Sequence, residues 1–315
     1  MRTHIPNYRL YGDAAEPDWL GMVHFEWIRE RSSLFHFEIA PHVHDGLIQV
    51  LYLTQGGGEA TIEGQRWALP PQALIVVPSG HVHAFHFTPD VDGPVVTAAQ
   101  APLESLAGVG DAPLLAQVRR PLVMSAAGTG RQARALRALF DAIAAETRLQ
   151  AHEPFAAGPA LLLAVFVQIA RIAASFAGER DVRKDSDAAT PSRRSAQLER
   201  FRALVDEHFP ERWPIERYAG ELGVSAGQLS RLCREALGHS ALDVVNARVL
   251  HEARRELVYS NLSVKQIAAL LGFADDAYFG RFFRKQAGET PTAFRDAARR
   301  KLGRSVPAPG LNRAA

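Results

Sequence analysis

Between residues 20 and 100 apolar side chains come in short bursts with a period of two, as in "VHFEWI", "LFHFEIA", "LIQVLYL" and "ALIVVP". Turn-forming stretches separate them: "TQGGGE", "IEGQ" and "PPQ". Alternation over such lengths, punctuated by Gly and Pro, predicts a small all-β barrel or sandwich. From about 131 to 177 the period lengthens. "RQARALRALFDAIAAETRL" and "PALLLAVFVQIARIAASF" space their apolar residues as helices do, and predict two long helices. "GERDVRKDSDAATPSRRS" (178–195) is charged and poor in apolar residues, which predicts a solvated linker. Beyond it the helical spacing continues almost to the end.

That last region repeats itself. "IERYAGELGVSAGQLSRLCREALG" (215–238) and "VKQIAALLGFADDAYFGRFFRKQAG" (264–288) align Ala219 with Ala268, Leu222 with Leu271 and Gly223 with Gly272. After one extra residue in the second copy, Arg231 aligns with Arg281 and Gly238 with Gly288. Each copy reads as helix, Gly-containing turn, helix. The small Ala lets two helices cross closely, and Gly supplies the positive φ that turns the chain. Ser225 and Asp275 stand at cap positions, and Ser263 with Gln266 makes a capping-box pattern. Leu229, Leu232 and Cys233, like Phe279, Phe282 and Phe283, fall at i, i+3 and i+4 and form an inward face. The opposite face then carries Gln228, Arg231 and Arg234 in one copy, and Asp276, Ala277, Arg281 and Arg284 in the other. In a major groove Arg pairs bidentately with guanine or neutralises a phosphate, Gln pairs with adenine, and Asp accepts from cytosine. Arg234 and Arg284 suit phosphate as well as bases, and Asp276 also suits a cap. Between the copies "SALDVVNARVLHEARRELVYS" (240–260) has no Gly or Pro and predicts one helix about 30 Å long. Successive major grooves lie about 34 Å apart, so one chain would read two of them. Arg254, Arg255, Arg299 and Arg300 are expected on solvated faces.

Charge sharpens this division. The net charge of +2 hides a polarity: residues 1–177 carry 12 Lys/Arg against 16 Asp/Glu, and residues 196–303 carry 17 against 14. The basic part is the helical one, which suits a polyanionic partner. With 47% hydrophobic and 22% charged residues the chain reads as globular and long enough for two domains. A single cysteine, Cys233, excludes an internal disulfide and fits a reducing compartment. The opening "MRTHIPNYRLYGDAAEPDW" lacks an apolar export region. The apolar run 161–174 contains Gln168 and Arg171 and falls short of the roughly 20 residues that span a bilayer. The expectation is a cytoplasmic protein without a membrane partner.

Residues 197–303 resemble the DNA-binding domain of the AraC/XylS family of bacterial transcription regulators, most of all over "SVKQIAALLGFADDAYFGRFFRKQAGETPTAFR" (263–295). The resemblance covers about a third of the chain. It implies double-stranded promoter DNA as a partner, with base contacts at Gln228, Arg231, Asp276, Ala277 and Arg281. It also implies RNA polymerase as a second partner and a homodimer formed through the helices at 131–177.

The stretch "PHVHDGLIQ" (41–49) sets two histidines one residue apart on a predicted strand. Side chains at i and i+2 share a side, so such a pair can chelate. With "PSGHVH" (78–83) it resembles the two motifs of a cupin, whose metal ligands would fall on His42, His44, Gln49 and His83. Gln49 stands where a metallo-cupin enzyme usually has Glu, and a neutral amide is the poorer ligand. Three readings stay open for these residues: a metal site on His42, His44 and His83, a ligand pocket, and structural histidines. Cupin-like sensors of the AraC type usually hold a small effector without metal, so the resemblance implies no cofactor and no catalytic step. "IPNYRLYGD" (5–13) together with "FEWI" resembles the members that answer 4-hydroxybenzoate. An aromatic acid needs a cation or donors for its carboxylate and an apolar slot for its ring. Arg9, His42, His44, Gln49 and His83 are candidates for the first, and Trp27, Tyr52 and Phe85 for the second, with Tyr52 also suited to packing against the helices.

The expected molecule is thus an α+β, two-domain chain. A cupin-like, β-barrel effector and dimerisation domain spans 1–177, a linker 178–196, a double helix-turn-helix domain 197–303, and a tail 304–315. The expected function is activation of a catabolic operon in response to an aromatic acid, with a metal-binding cupin fused to a DNA-binding domain as the alternative.

Overall fold

A computed structural model describes residues 6, 23–108, 112–149, 154–177 and 193–303. Arg9, residues 178–192 of the expected linker, and the tail 304–315 lie outside the described residues.

Alternation in the N-terminal part resolves into strands β1 (Val23–Trp27), β2 (Glu38–His42), β3 (Leu47–Tyr52), β4 (Gly58–Ile62), β5 (Gln65–Leu69), β6 (Ala73–Val77), β7 (His83–Phe87), β8 (Pro94–Ala99) and β9 (Leu122–Ser125). They form two antiparallel sheets, ordered β1-β8-β3-β6-β9 and β2-β7-β4-β5. Closure into a barrel needs strand pairing all the way round. Among the described residues no strand of one sheet pairs with a strand of the other, so the cupin-like domain is a sandwich of facing sheets and not the closed barrel expected. Leu51, Leu53, Ile75, Val77 and Val95 of the larger sheet meet Ile39, Ala60, Ile62, Phe85 and Phe87 of the smaller in the space between them.

The larger sheet is covered on its outer face too. Helices α2 (Gln100–Gly108), α3 (Ala112–Val118), α4 (Gly130–Leu149) and α5 (Pro154–Ala177) follow the short α1 (Ile28–Ser33) in the chain. From this layer Phe140, Leu162, Phe166 and Ile169 pack on Ile48, Val50, Tyr52 and Val96. β3 is therefore buried along its whole length, where the sequence pattern predicts a half-buried strand. The helical layer supplies the burial that alternation alone does not announce. Tyr52 stacks on Phe140 with ring centroids 6.1 Å apart, the packing role anticipated for it. α5 extends the apolar run at 161–174. Its segment Ala157–Ser175, with mean hydropathy 1.8, is long and apolar enough to cross a bilayer by length and composition. One side of it, with Leu162, Val165, Phe166, Ile169 and Ile172, is fully buried in this core.

The C-terminal domain begins with α6 (Arg193–His208), which takes over the last residues of the expected linker, and continues through a 3-10 turn (Phe209–Glu211). α7 (Ile215–Glu221) and α8 (Ala226–Leu237) form one helix-turn-helix unit; α10 (Val264–Leu270) and α11 (Asp276–Ala287) form the other. α9 (Ala241–Tyr259) joins them and α12 (Pro291–Gly303) follows. Each unit has its own core, one around Phe201, Tyr218, Leu229 and Cys233, the other around Ile267, Phe279 and Phe283. α9 adds Val245 to the first and Val249, Ala253 and Leu257 to the second, so a single strut fixes both.

Candidate DNA-binding face and sensor site

The turns of both units are built as the repeat implies. Gly223 and Gly272 sit at φ +65° and +71°, in the left-handed region. A Cβ on Gly272 would fall 1.8 Å from the carbonyl oxygen of Pro210, so the second turn needs glycine for space as well as for φ. Asp275 caps α11 by accepting from the Tyr278 amide at 2.6 Å. Ser263 and Gln266 form the capping box at α10. A second box, not foreseen, closes α8: the Gln228 amide N–H donates to Ser225 Oγ, and the Ser225 amide donates to Gln228 Oε1 at 2.8 Å. The side chain nominated to read adenine is therefore also a helix cap.

Burial separates the two faces of each second helix. Leu229 and Cys233 of α8, and Phe279 and Phe283 of α11, are fully buried. Gln228, Arg231, Arg234, Asp276, Ala277, Arg281 and Arg284 are all exposed. Burial pushes the Cys233 thiol up to about 11, so it stays a neutral packing group. Arg254 and Arg255 depart from the solvated faces expected for them. Arg254 is half-buried and donates to Asp45 at 3.1 Å, and Arg255 pairs with Glu252 and Glu256. Sequence spacing places an Arg on a helix face but does not say what packs over it.

In the sensor, β2 pairs with β7 and brings His42 opposite His83. His44 lies two residues beyond the end of β2. The three rings pack on one another, with centroids 4.1 Å (His42–His83), 4.8 Å (His42–His44) and 5.1 Å (His44–His83) apart. All three histidines are buried, and one nitrogen from each falls within 4.8 Å of the others. A carbonyl only accepts, so two tautomers are set. His83 Nδ1–H donates to His81 O at 2.8 Å, which leaves its Nε2 with a lone pair; His42 Nδ1–H donates to Ala40 O at 2.9 Å, and its ring also meets the backbone of His83. Burial drives His42 down to about 3 and His83 well below its ordinary value, each further lowered by the neighbouring histidines. At neutral pH both rings are uncharged. His81, held by Pro78 O and Ser79 O through Nδ1–H, is buried beside them but is not one of the three.

Not every candidate joins the cluster. Gln49 is buried on β3 and donates to Thr97 Oγ1 at 3.4 Å, on the face between the sheets. Trp27 meets Phe25 edge to face at 5.3 Å and shares the alternate positions of β1 with Val23 and Phe25, which pack toward the helical layer. The structure thus does not bring Trp27 to the histidines. Phe85 does stand beside them, its ring 5.7 Å from that of His83. The row that shares the inner face with Gln49 also includes His24, whose strand partner is Thr97. Next to it Glu26 is held below the usual carboxylate range by His24 and Arg31 against the opposing effect of burial. His24 and Glu26 lie in the quoted "VHFEWI", but neither they nor Thr97 has the spacing of a ligand motif, so the sequence alone does not single them out.

Two family models match the chain: an AraC-like ligand binding domain over residues 23–158, and a helix-turn-helix domain over 218–297. Among curated relatives, the probable transcription factor PqrA of Proteus vulgaris is 33% identical over 82 residues, 26% of this chain and 67% of PqrA. The HTH-type transcriptional activator RhaS of Escherichia fergusonii is 31% identical over 114 residues, 36% of this chain and 41% of RhaS. The chain spans about two-fifths of the length of several curated relatives it matches. Among solved structures, the DNA-binding domain of AdpA in complex with a target DNA is 27% identical, covering 34% of this chain and 96% of that one with a TM-score of 0.32.

Proposed function

Because the chain belongs to the AraC family of transcription regulators, pairing an AraC-like ligand-binding domain with a helix-turn-helix domain, we propose that it binds promoter DNA under control of a small ligand held in the sandwich. The observation that carries this is the pair of capped helices α8 and α11 on one strut, each with its Arg side chains exposed and its apolar side buried. Arg231 and Arg281 then read bases, Arg234 and Arg284 hold phosphates, and Gln228, Asp276 and Ala277 line the same grooves. α9 has 19 residues, which at 1.5 Å each is about 28 Å, close to the spacing of successive grooves. Dimerisation falls to α4 and α5, where Leu161, Leu163 and Val167 are only partly buried. The protein works in the cytoplasm, where promoter and RNA polymerase are found, and no catalytic step is assigned to it.

For the ligand, the finer reading is an aromatic acid such as 4-hydroxybenzoate that switches on a catabolic operon. Its support is the resemblance of the opening stretch, outside the described residues, together with Phe85 beside the cluster. Neutral imidazole acceptors do not suit a carboxylate, so the phenolic O–H is the end the histidines take.

A second reading is favoured by the cluster itself. Rings in mutual contact and one ligand nitrogen from each within 4.8 Å of the others suit a single divalent cation. Ligating histidines ordinarily donate their other N–H to a backbone carbonyl, as His42 and His83 do. His42, His44 and His83 would hold the ion, which in a regulator serves as the signal.

One experiment tests both. Full-length, chelator-treated protein selects duplexes from a random pool alone, with 4-hydroxybenzoate, and with Co2+. The expected result is a bipartite site whose halves lie about one helical turn apart, enriched with one of the two additions. Arg231→Ala and Arg281→Ala each relax preference in one half, at about 1–3 kcal/mol per lost pair. Selection without sequence preference under all three conditions would overturn the proposal.

A further inference from the structure

Two hydrogen-bonded chains run from the loops beside the histidines to α6 and α9, which support the helices α8 and α11 of the DNA-binding face. We propose that they transmit the state of the histidine cluster to that face, with Arg202 and Glu104 as the coupling residues. The proposal takes from the preceding section only that a ligand acts on the cluster.

The first chain passes through Ser79–His83. Glu63, after β4, is buried and accepts two hydrogen bonds from Arg202 of α6, each of 3.0 Å. The same carboxylate accepts the Val82 amide at 2.8 Å, and Arg202 also donates to Gly80 O at 2.8 Å. Val82 belongs to the sensor by sequence, yet its side chain packs in the core of the first helix-turn-helix unit with Leu198 and Phe201. It lies between His81 and His83. Any displacement of His83 to close on a ligand must therefore move Val82 and the Gly80 carbonyl, and Arg202 feels both.

The second chain passes through α2. The loop after His44 is tied to the Ser79 loop by Gly80 N–H donating to His44 O at 2.9 Å and Gly46 N–H to Ser79 Oγ at 2.7 Å. Both loops are fastened to Gln100, whose amide donates to Gly46 O at 3.0 Å and whose Oε1 accepts from Ser79 N–H at 2.7 Å. Gln100 Nε2 donates to the buried Glu104 at 2.8 Å, and Glu104 accepts from His251 of α9 at 3.4 Å. Asp45, next to His44, accepts from Arg254 of α9.

The sensor thus grips the first unit at α6 and the shared strut at α9. The side chains nominated for DNA remain exposed in this docked form. Docking therefore sets how the first unit sits against the strut, and so how α8 is aimed relative to α11, without covering either. A histidine cluster drawn together by a ligand shifts both grips at once.

The test is hydrogen–deuterium exchange on the full-length, chelator-treated chain, which reads α6 and α9 without knowledge of the operator. His83→Ala is expected to raise exchange in α6 and α9 at least tenfold. Arg202→Lys keeps the charge and loses the two-pronged grip, and is expected to do the same in α6, with the double variant adding nothing beyond the larger single effect. His44→Gln repeats the arm if His83→Ala does not fold. Substitutions in the cluster that quicken only residues 38–52 and 73–99, with α6 and α9 at wild-type rates, overturn the proposal; so do strictly additive effects. In a further arm, Co2+ that gains visible absorption on binding and leaves α6 and α9 unchanged also overturns it. Co2+ that shows no absorption removes the cation reading alone, and the substitution arm still decides the coupling.

Discussion

Neutral, buried histidines make the sensor a proton-sensitive structure at the scale of single residues. His42 stays unprotonated in the fold down to about pH 3, and His81 and His83 are held well below their ordinary values by burial. In the unfolded chain each would take up a proton near pH 6.5. Below that pH the unfolded state therefore binds more protons than the folded one, and stability falls as the pH falls. The stabilisation is complete above pH 7 and is lost progressively from about pH 6.5 downward. Between pH 7 and 5.5 the expected loss is about 1 kcal/mol per histidine, or about 2 kcal/mol for His42 and His83 together. Urea unfolding of chelator-treated protein at the two pH values measures it, and His42→Gln with His83→Gln should flatten the dependence to what His81 contributes. A wild type equally stable at both values would mean that the rings are hydrated and that their lone pairs do not face a closed cluster.

Elements carry the next level, and here the sequence was most readable. Helix-turn-helix geometry is written in local chemistry: Gly223 and Gly272 at the turns, Ser225, Ser263 and Asp275 at the caps, and a three- and four-residue spacing of Leu and Phe. All act within one turn of the backbone, so one sequence suffices to place them. β3 shows the opposite case. Its burial on both faces depends on α4 and α5, which begin 78 or more residues after it in the chain, and alternation cannot report it. α2, α3 and β9 are short and without strong periodicity, so the pattern of apolar residues does not announce them. The Gln228 cap belongs to this scale and gives a prediction. Glu at this position keeps an oxygen for the Ser225 amide and favours a helix N-terminus, so Gln228→Glu should leave the melting midpoint unchanged. It removes the amide that pairs with adenine and adds a negative charge facing DNA, so binding should weaken by about 1–3 kcal/mol. Gln228→Ala should instead lower stability by about 1 kcal/mol as well. Equal DNA affinity for Gln228→Glu and the wild type would confine Gln228 to capping.

At the scale of the whole molecule the two domains meet through charges that no motif announces, because Glu63 and Arg202 stand 139 residues apart. Neither side chain carries a sequence signal for the other: Glu63 reads as part of a turn and Arg202 as one more basic residue on a helix. Their pairing appears only when the fold brings the β4 turn against α6. Burial raises the Glu63 carboxyl above its usual range despite the pull of Arg202, so the pair is held at the expense of considerable desolvation. An asymmetry follows. Arg202→Ala strands a buried carboxylate and should destabilise the chain by about 3–5 kcal/mol. Replacing both partners with apolar residues of similar size, Glu63→Leu with Arg202→Met, removes the stranded charge and should cost much less than the single change, although Val82 N–H loses its acceptor at about 1–3 kcal/mol. The half-exposed Asp45–Arg254 pair, in contrast, should change stability by less than about 1 kcal/mol when Arg254 becomes Ala. Calorimetric unfolding of the three variants ranks them. A single Arg202→Ala as mild as Arg254→Ala would place water at Glu63 and the domains apart in solution, and would detach the sensor from the helices it is argued to steer.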